Sequence, residues 1–74
     1  MDSQTTETVQ IVVNGDGRDV RAGLSLLDLL ALLEIAPDRV AIELDRRIVG
    51  RAEWDSTKIR SGAALEIVHF VGGG

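Results

Sequence analysis

Apolar and polar positions follow two different periods along the chain, and these periods predict its elements. Residues 9–13 are β-branched apart from one glutamine, which is typical of a strand. The sequence Asn-Gly-Asp-Gly at 14–17 predicts a tight hairpin turn, because Asn and Gly tolerate positive φ. Residues 18–22 are therefore expected to return as a second, antiparallel strand that ends at Gly23.

The period changes to that of a helix from Ser25 onward. Leucines recur at positions 26, 27, 29, 30, 32 and 33, which predicts one amphipathic helix of about three turns. Ser25 is a favourable N-cap, and the charge of Asp28 suits the first turn of a helix. Pro37 is expected to mark the exit, because the residue before a proline disfavours helical backbone.

Strand periodicity returns in the second half of the chain. It predicts strands at 40–44, 48–49 and 65–71, and polar turns at 45–47 and 61–62. Residues 51–61 have no clean period, so they are expected to form an irregular connection that Trp54 and Ile59 anchor to the core.

This order of elements predicts an α+β fold. A helix between two hairpin-like units covers one face of a mixed sheet of four to five strands and leaves the other face to water. That arrangement is the β-grasp, or ubiquitin-like, architecture. The folded domain is expected to span residues 9–71, after a disordered polar extension at 1–8 and before a flexible glycine tail at 72–74.

Composition excludes several classes of function. A chain of 74 residues is one small domain, with little room for an enclosed active site. Its net charge of −4 argues against a nucleic-acid partner, and its lack of cysteine excludes disulfides, thiolate catalysis and Cys-based metal sites. Because it has neither a membrane-spanning stretch nor a secretion signal, a cytoplasmic protein without a membrane partner is expected.

The stretch EIVHFVGGG at 66–74 carries the candidate chemistry. Glycine lacks Cβ, so Gly72 and Gly73 can thread a slot that any side chain would block, while giving reach. The carboxylate of Gly74 is inert until a partner activates it, which makes Gly74 the candidate for covalent modification. The alternative is a flexible tail without function.

The last strand also predicts a surface for partner binding. If Leu65 and Ile67 point to the core, the period of two places Glu66, Val68 and Phe70 on the opposite face. Exposed apolar side chains beside a functional tail indicate a partner-binding patch. The alternative is that Val68 and Phe70 lie under an irregular segment or are scattered surface residues.

Other polar residues are expected to have structural roles. His69 is expected to be an ordinary strand residue near the edge of the sheet, since no cysteine or second histidine could complete a site with it. Arg46, Arg47 and Arg51 are expected to be solvated, with contact to acidic partner groups as the alternative. The chain also lacks a phosphate-binding GxxxxGK[ST] loop and a nucleophile with its base, so an independent enzyme is not expected.

Several of these features together resemble one known family. The glycine-terminated EIVHFVGGG ending, the Asn14-Gly15 turn, the LLDLL helix and the connection at 51–54 are similar to those of ThiS, the sulfur carrier of thiamin biosynthesis. The resemblance covers residues 9–74. It implies a protein carrier with the β-grasp fold.

The resemblance also implies a reaction cycle. A ThiF-type enzyme would use ATP to adenylate Gly74, and a sulfur donor of the cysteine desulfurase type would convert the adenylate to a thiocarboxylate. Thiazole synthase would then accept the sulfur. The chain itself would bind no cofactor, because the partner enzyme uses the ATP.

Three other functions remain open at this point. The small subunit of molybdopterin synthase also carries sulfur on a C-terminal glycine. A ubiquitin-like modifier would join the same activated carboxyl to a lysine. A β-grasp interaction module would have an incidental tail.

Overall fold

A computed structural model describes residues 7–71 and confirms the α+β, β-grasp prediction. Its strands are β1 (Thr8–Val13), β2 (Asp16–Arg21), β3 (Val40–Leu44), β4 (Arg47–Val49) and β5 (Ala64–His69); its helix is α1 (Leu26–Leu32), and 3-10 turns lie at Pro37–Arg39 and Arg51–Glu53. The strands form one sheet in the order β2-β1-β5-β3-β4. The β1–β5 pair is parallel, and the other pairs are antiparallel.

Two tight turns connect the outer pairs of strands. Asn14 and Gly15 have φ values of 52° and 87°, so both adopt the left-handed conformation that a two-residue hairpin turn requires. Asp45 and Arg46, at 51° and 73°, make the same kind of turn between β3 and β4 without a glycine. Both turns were predicted, although β4 starts at Arg47, one residue earlier than expected.

The N-terminus of α1 is fixed by a reciprocal capping box. The backbone N–H of Asp28 donates to the Ser25 hydroxyl, and the backbone N–H of Ser25 donates to the Asp28 carboxylate, both at 3.0 Å. Hydrogen bonding of the Asp28 carboxylate to the backbone N–H and then to the hydroxyl of Ser25, helped by the charges of Lys58 and Arg21, lowers the pKa of Asp28. The predicted N-cap is therefore confirmed.

The C-terminus of α1 comes earlier than predicted. The helix has seven residues, or about two turns, instead of three. Glu34 is left-handed, with φ of 61°, and its N–H donates to the Ala31 carbonyl while that of Ile35 donates to Leu30. This pair of bonds is a Schellman motif, which ends the helix before Pro37. Pro37 instead begins a 3-10 turn.

The core lies between α1 and one face of the sheet. Its fully buried members include Ile11, Leu26, Leu29, Leu30, Ile42 and Leu65. Leu27 and Leu32 were predicted to share the buried helix face, but they are 36% and 58% exposed because, at about 100° per residue, they lie beside the buried stripe and not within it. Within residues 7–71, no helix combines the length and apolar character needed to cross a membrane.

The irregular connection after β4 is anchored as predicted. Trp54 and Ile59 are buried, and the Trp54 indole N–H donates to the Val49 carbonyl at 2.8 Å. The guanidinium of Arg51 lies 5.8 Å from the centroid of the Trp54 ring and donates to the Pro37 carbonyl at 3.4 Å. Arg51 is exposed to solvent, as expected, and these two contacts are additional to its solvation.

The position of β5 differs from the sequence prediction. It lies in the centre of the sheet, between β1 and β3, so His69 does not belong to an edge strand. The strand ends at His69, two residues before the predicted end at Val71, and the N–H of Phe70 donates to the Arg39 carbonyl at 2.9 Å. Thr8, the last residue of the predicted extension, belongs to β1. Residues 1–6 of that extension and the glycine tail at 72–74 lie outside the described residues.

Candidate functional site

The strand that leads toward the glycines is unequally paired by its two neighbours. β3 pairs with β5 through five residue pairs, whereas β1 pairs with it only through Val12–Ala64 and Val13–Leu65. β1 then turns away at Asn14. The second half of β5 would therefore lack a backbone partner on that side.

The side chain of Asn14 replaces the missing strand partner. Its Oδ1 accepts a hydrogen bond from the Ile67 N–H at 2.7 Å, and its Nδ2 donates to the Ile67 carbonyl at 3.2 Å. A side-chain amide has the same donor and acceptor as a peptide group, so it continues the ladder beyond the end of β1. The sequence predicted the turn at Asn14 but not this contact.

The other end of β5 is held by the second hairpin turn. The N–H of Asp45 donates to the Ala64 carbonyl at 2.8 Å, and the Asp45 carboxylate accepts from the Ala64 N–H at 2.9 Å. Turn residues thus bind the central strand at its first residue, Ala64, and in its second half, at Ile67.

The predicted partner-binding residues share the solvent-exposed side of the sheet. Leu65 and Ile67 are buried, whereas Glu66 is exposed and Val68 and Phe70 are 53% and 58% exposed. The predicted alternation of β5 is therefore confirmed, and no irregular segment within residues 7–71 covers these side chains. Their role in binding a partner stays a prediction.

Strand register adds three residues that the sequence analysis missed. Ala41 lies opposite Val68, Glu43 opposite Glu66, and Ile48 opposite Glu43. We call the surface formed by these six residues the outer face: Ala41, Glu43, Ile48, Glu66, Val68 and Phe70. Ile48 is 77% exposed, although an apolar residue in a short strand is usually assigned to the core. Only the register between distant strands shows that it adjoins β5.

The outer face combines apolar side chains with two carboxylates, those of Glu43 and Glu66, on the side of the sheet away from α1. Within residues 7–71, no three His, Asp or Glu side chains are close enough together to hold a metal ion. The predicted modification site, Gly74, and the tail residues Gly72 and Gly73 lie outside the described residues.

The chain is similar to proteins of thiamin biosynthesis. Residues 11–74 match the model of the ThiS family. The crystal structure of a thiamine biosynthesis protein (ThiS) from Geobacter metallireducens superposes with a TM-score of 0.79 and 32% identity, over 89% of this chain and 100% of that one.

Curated relatives fall into two length classes. The sulfur carrier protein ThiS of Bacillus subtilis is 34% identical over 50 residues, which are 68% of this chain and 76% of that protein. A thiazole synthase from Magnetococcus marinus is 35% identical over 66 residues, which are 89% of this chain but 20% of that protein. A second thiazole synthase, from Paramagnetospirillum magneticum, is 33% identical over the same share of each. The chain thus spans about a fifth of the length of these two thiazole synthases.

Proposed function

The chain belongs to the ThiS family, and on that premise we propose that it is a sulfur carrier for thiazole formation in thiamin biosynthesis. The observation that carries the proposal is the family match through the glycines at 72–74, in a chain whose fold agrees with that of a solved ThiS protein. In this role the chain is a cosubstrate of other enzymes and does not catalyse a reaction itself. We also propose that the chain is cytoplasmic, as expected from its sequence.

The proposed chemistry takes place at the carboxylate of Gly74. A carboxylate resists nucleophilic substitution because its oxygen is a poor leaving group. In the first step, an oxygen of this carboxylate attacks the α-phosphorus of ATP in a ThiF-type enzyme, and pyrophosphate leaves. In the second, the terminal sulfur of a persulfide on a cysteine desulfurase-type donor attacks the acyl carbon, and AMP leaves with the former carboxylate oxygen, which gives an acyl disulfide. A thiol then attacks the donor's sulfur in this disulfide, so that the thiol and the donor become joined in a new disulfide and Gly74 is released as a thiocarboxylate.

The glycines and β5 have complementary tasks in this proposal. Gly72 and Gly73 present no Cβ to a narrow channel, and the contacts of Asn14 and Asp45 hold β5, the strand that leads toward them, within the sheet. ATP binds to the adenylating partner, so the carrier needs no cofactor of its own.

The free-energy cost of ordering the tail indicates how large the docking surface must be. Fixing the backbone of three residues in a channel costs about 3–6 kcal/mol. Val68 and Phe70 are little more than half exposed, so burying them returns about 2–3 kcal/mol. These two side chains cannot offset the cost alone, and binding requires more of the outer face, including Ile48.

Thiazole synthase is the proposed acceptor of the sulfur. The two thiazole synthases similar to this chain each contain a segment that resembles it within a much longer polypeptide. A carrier-like segment and a thiazole synthase joined in one polypeptide support a working relation between the two. We propose that the separate chain delivers its thiocarboxylate to the same kind of enzyme.

Intact-mass measurement tests the proposal. The chain is incubated with the ThiF-type enzyme of its source organism, ATP, a cysteine desulfurase and cysteine. We expect an ATP-dependent mass increase equal to the replacement of one oxygen by sulfur, located at Gly74 by fragmentation. Thiazole synthase and its substrates should return the mass to its original value.

A variant that lacks Gly74 is the matched control and should gain no sulfur. Conjugates of higher mass on lysine would contradict the proposal and indicate a modifier. Sulfur transfer to molybdopterin synthase but not to thiazole synthase would contradict it as well.

A further inference from the structure

One row of side chains across the outer face contains two carboxylates and no base. Glu66 on β5 lies opposite Glu43 on β3, and Glu43 lies opposite Ile48 on β4. Directly opposed residues of antiparallel strands have Cβ atoms about 4.5–5.5 Å apart. The two glutamate side chains are therefore neighbours on the same surface.

This pairing is unfavourable in the isolated chain. Like charges directly opposite each other destabilise a sheet. Glu43 is half-buried, whereas Glu66 is exposed. None of the side-chain hydrogen bonds formed within residues 7–71 reaches either carboxylate.

Apolar side chains surround the acidic pair on three sides. The row toward the end of β5 holds Val68 and Ala41, and the row toward its start holds Ala64 and Val12. Ile48, 77% exposed, closes the acidic row itself. A partner that covers these side chains removes water from the two carboxylates, which strengthens any ion pair made there.

The chemistry of the site favours arginine as the partner residue. A planar guanidinium has five N–H donors and can bridge two carboxylates, and it is less strongly hydrated than a lysine ammonium. It therefore suits an anionic pair inside an apolar frame. The net charge of −4 on the chain also favours approach by a basic surface.

We propose that the outer face binds a basic and apolar protein surface whose arginine bridges Glu43 and Glu66 while its apolar side chains cover Ile48 and Val68. The inference rests on the proposed function, and it specifies the chemistry of the docking partner. It assigns binding roles to Glu43 and Ile48, which sequence analysis did not select.

Affinity for the adenylating enzyme at several salt concentrations tests this inference. The variants are Glu43→Gln, Glu66→Gln and the double variant. Each single change should raise Kd roughly tenfold and flatten its dependence on salt. Since one arginine contacts both carboxylates, the fold-increase in Kd of the double variant should be smaller than the product of the two single fold-increases. Thermal stability should stay equal or rise, because the substitution relieves repulsion.

Glu34→Gln provides the charge-matched control. Glu34 follows α1, on the opposite side of the sheet from the outer face, and its substitution should leave Kd unchanged. The inference is overturned if the double variant binds with the affinity and salt dependence of the native chain while the native chain gains sulfur. If the proposed function is wrong, the native chain gains no sulfur, and the docking inference is then wrong as well.

Discussion

Asn14 and Ile67, which are 53 positions apart, are joined by two hydrogen bonds between a side-chain amide and a peptide backbone. Asn14 also adopts positive φ in the first hairpin turn. One residue therefore both turns β1 into β2 and extends the pairing of β1 with β5. This relationship connects the start of the fold to the strand that leads to residues 72–74.

Replacing Asn14 with glycine separates these two tasks. Glycine keeps the left-handed turn but removes both bonds to Ile67, so the free energy of unfolding should fall by about 1–3 kcal/mol. Urea denaturation measures this loss, and hydrogen exchange of the Ile67 amide should become faster. Asn14→Asp retains the acceptor for the Ile67 N–H and should show a smaller loss. Native stability of the glycine variant would refute the role of the amide.

Acid should remove a contribution that the capping box makes to stability. The hydrogen bonds from Ser25 lower the pKa of Asp28 in the folded chain. A lowered folded-state pKa means that the ionised carboxylate stabilises the fold above the ordinary pKa of an aspartate. The stabilisation is lost as pH falls through the lowered value.

Comparison of the native chain with Asp28→Asn isolates this effect. The variant should be less stable at neutral pH, and the difference should shrink as the solution is acidified. Ser25→Ala should cost about 0.5–2 kcal/mol, and it should also reduce the pH dependence because the hydroxyl that helps to lower the pKa of Asp28 is gone. Denaturant midpoints from neutral to acidic pH measure both; a constant difference between the native chain and Asp28→Asn would contradict the linkage.

Phe70→Ser tests the apolar part of the outer face. Phe70 is 58% exposed, so serine should leave the fold intact but weaken binding to the adenylating enzyme roughly 5–30-fold. Leu32→Ser is the control, because Leu32 is equally exposed at 58% but lies on α1. Calorimetric titration of both variants distinguishes a local contact from general loss of apolar surface. Equal affinities for the two variants would argue against docking through Phe70.

Local patterns were sufficient for much of the fold. The period of two predicted β3 at 40–44 with its observed bounds, and the Asn14-Gly15 dipeptide predicted the first turn. Both features depend on neighbouring residues alone. The same applies to Ser25 and Asp28, whose capping box spans four consecutive residues.

Features that depend on distant partners were not predictable in this way. The central position of β5 and the opposition of Glu43 and Glu66 follow from strand register, which no local period contains. The sequence therefore identified only three of the six outer-face residues, from the alternation along β5. The helix end at Glu34 was missed for another reason: Schellman motifs usually have glycine at this position, and this chain has none there.

That unusual helix end leads to the last prediction. The φ of Glu34 is 61°, a conformation that costs a residue with Cβ roughly 1–2 kcal/mol. Glu34→Gly removes this strain but gives the unfolded chain more backbone freedom, so the net gain in unfolding free energy should be about 0.5–1 kcal/mol. Glu34→Ala keeps the strain and removes the same side-chain charge, which makes it the control. Urea midpoints should rise for glycine relative to alanine; a lower midpoint for glycine would mean that the left-handed residue is not what limits α1.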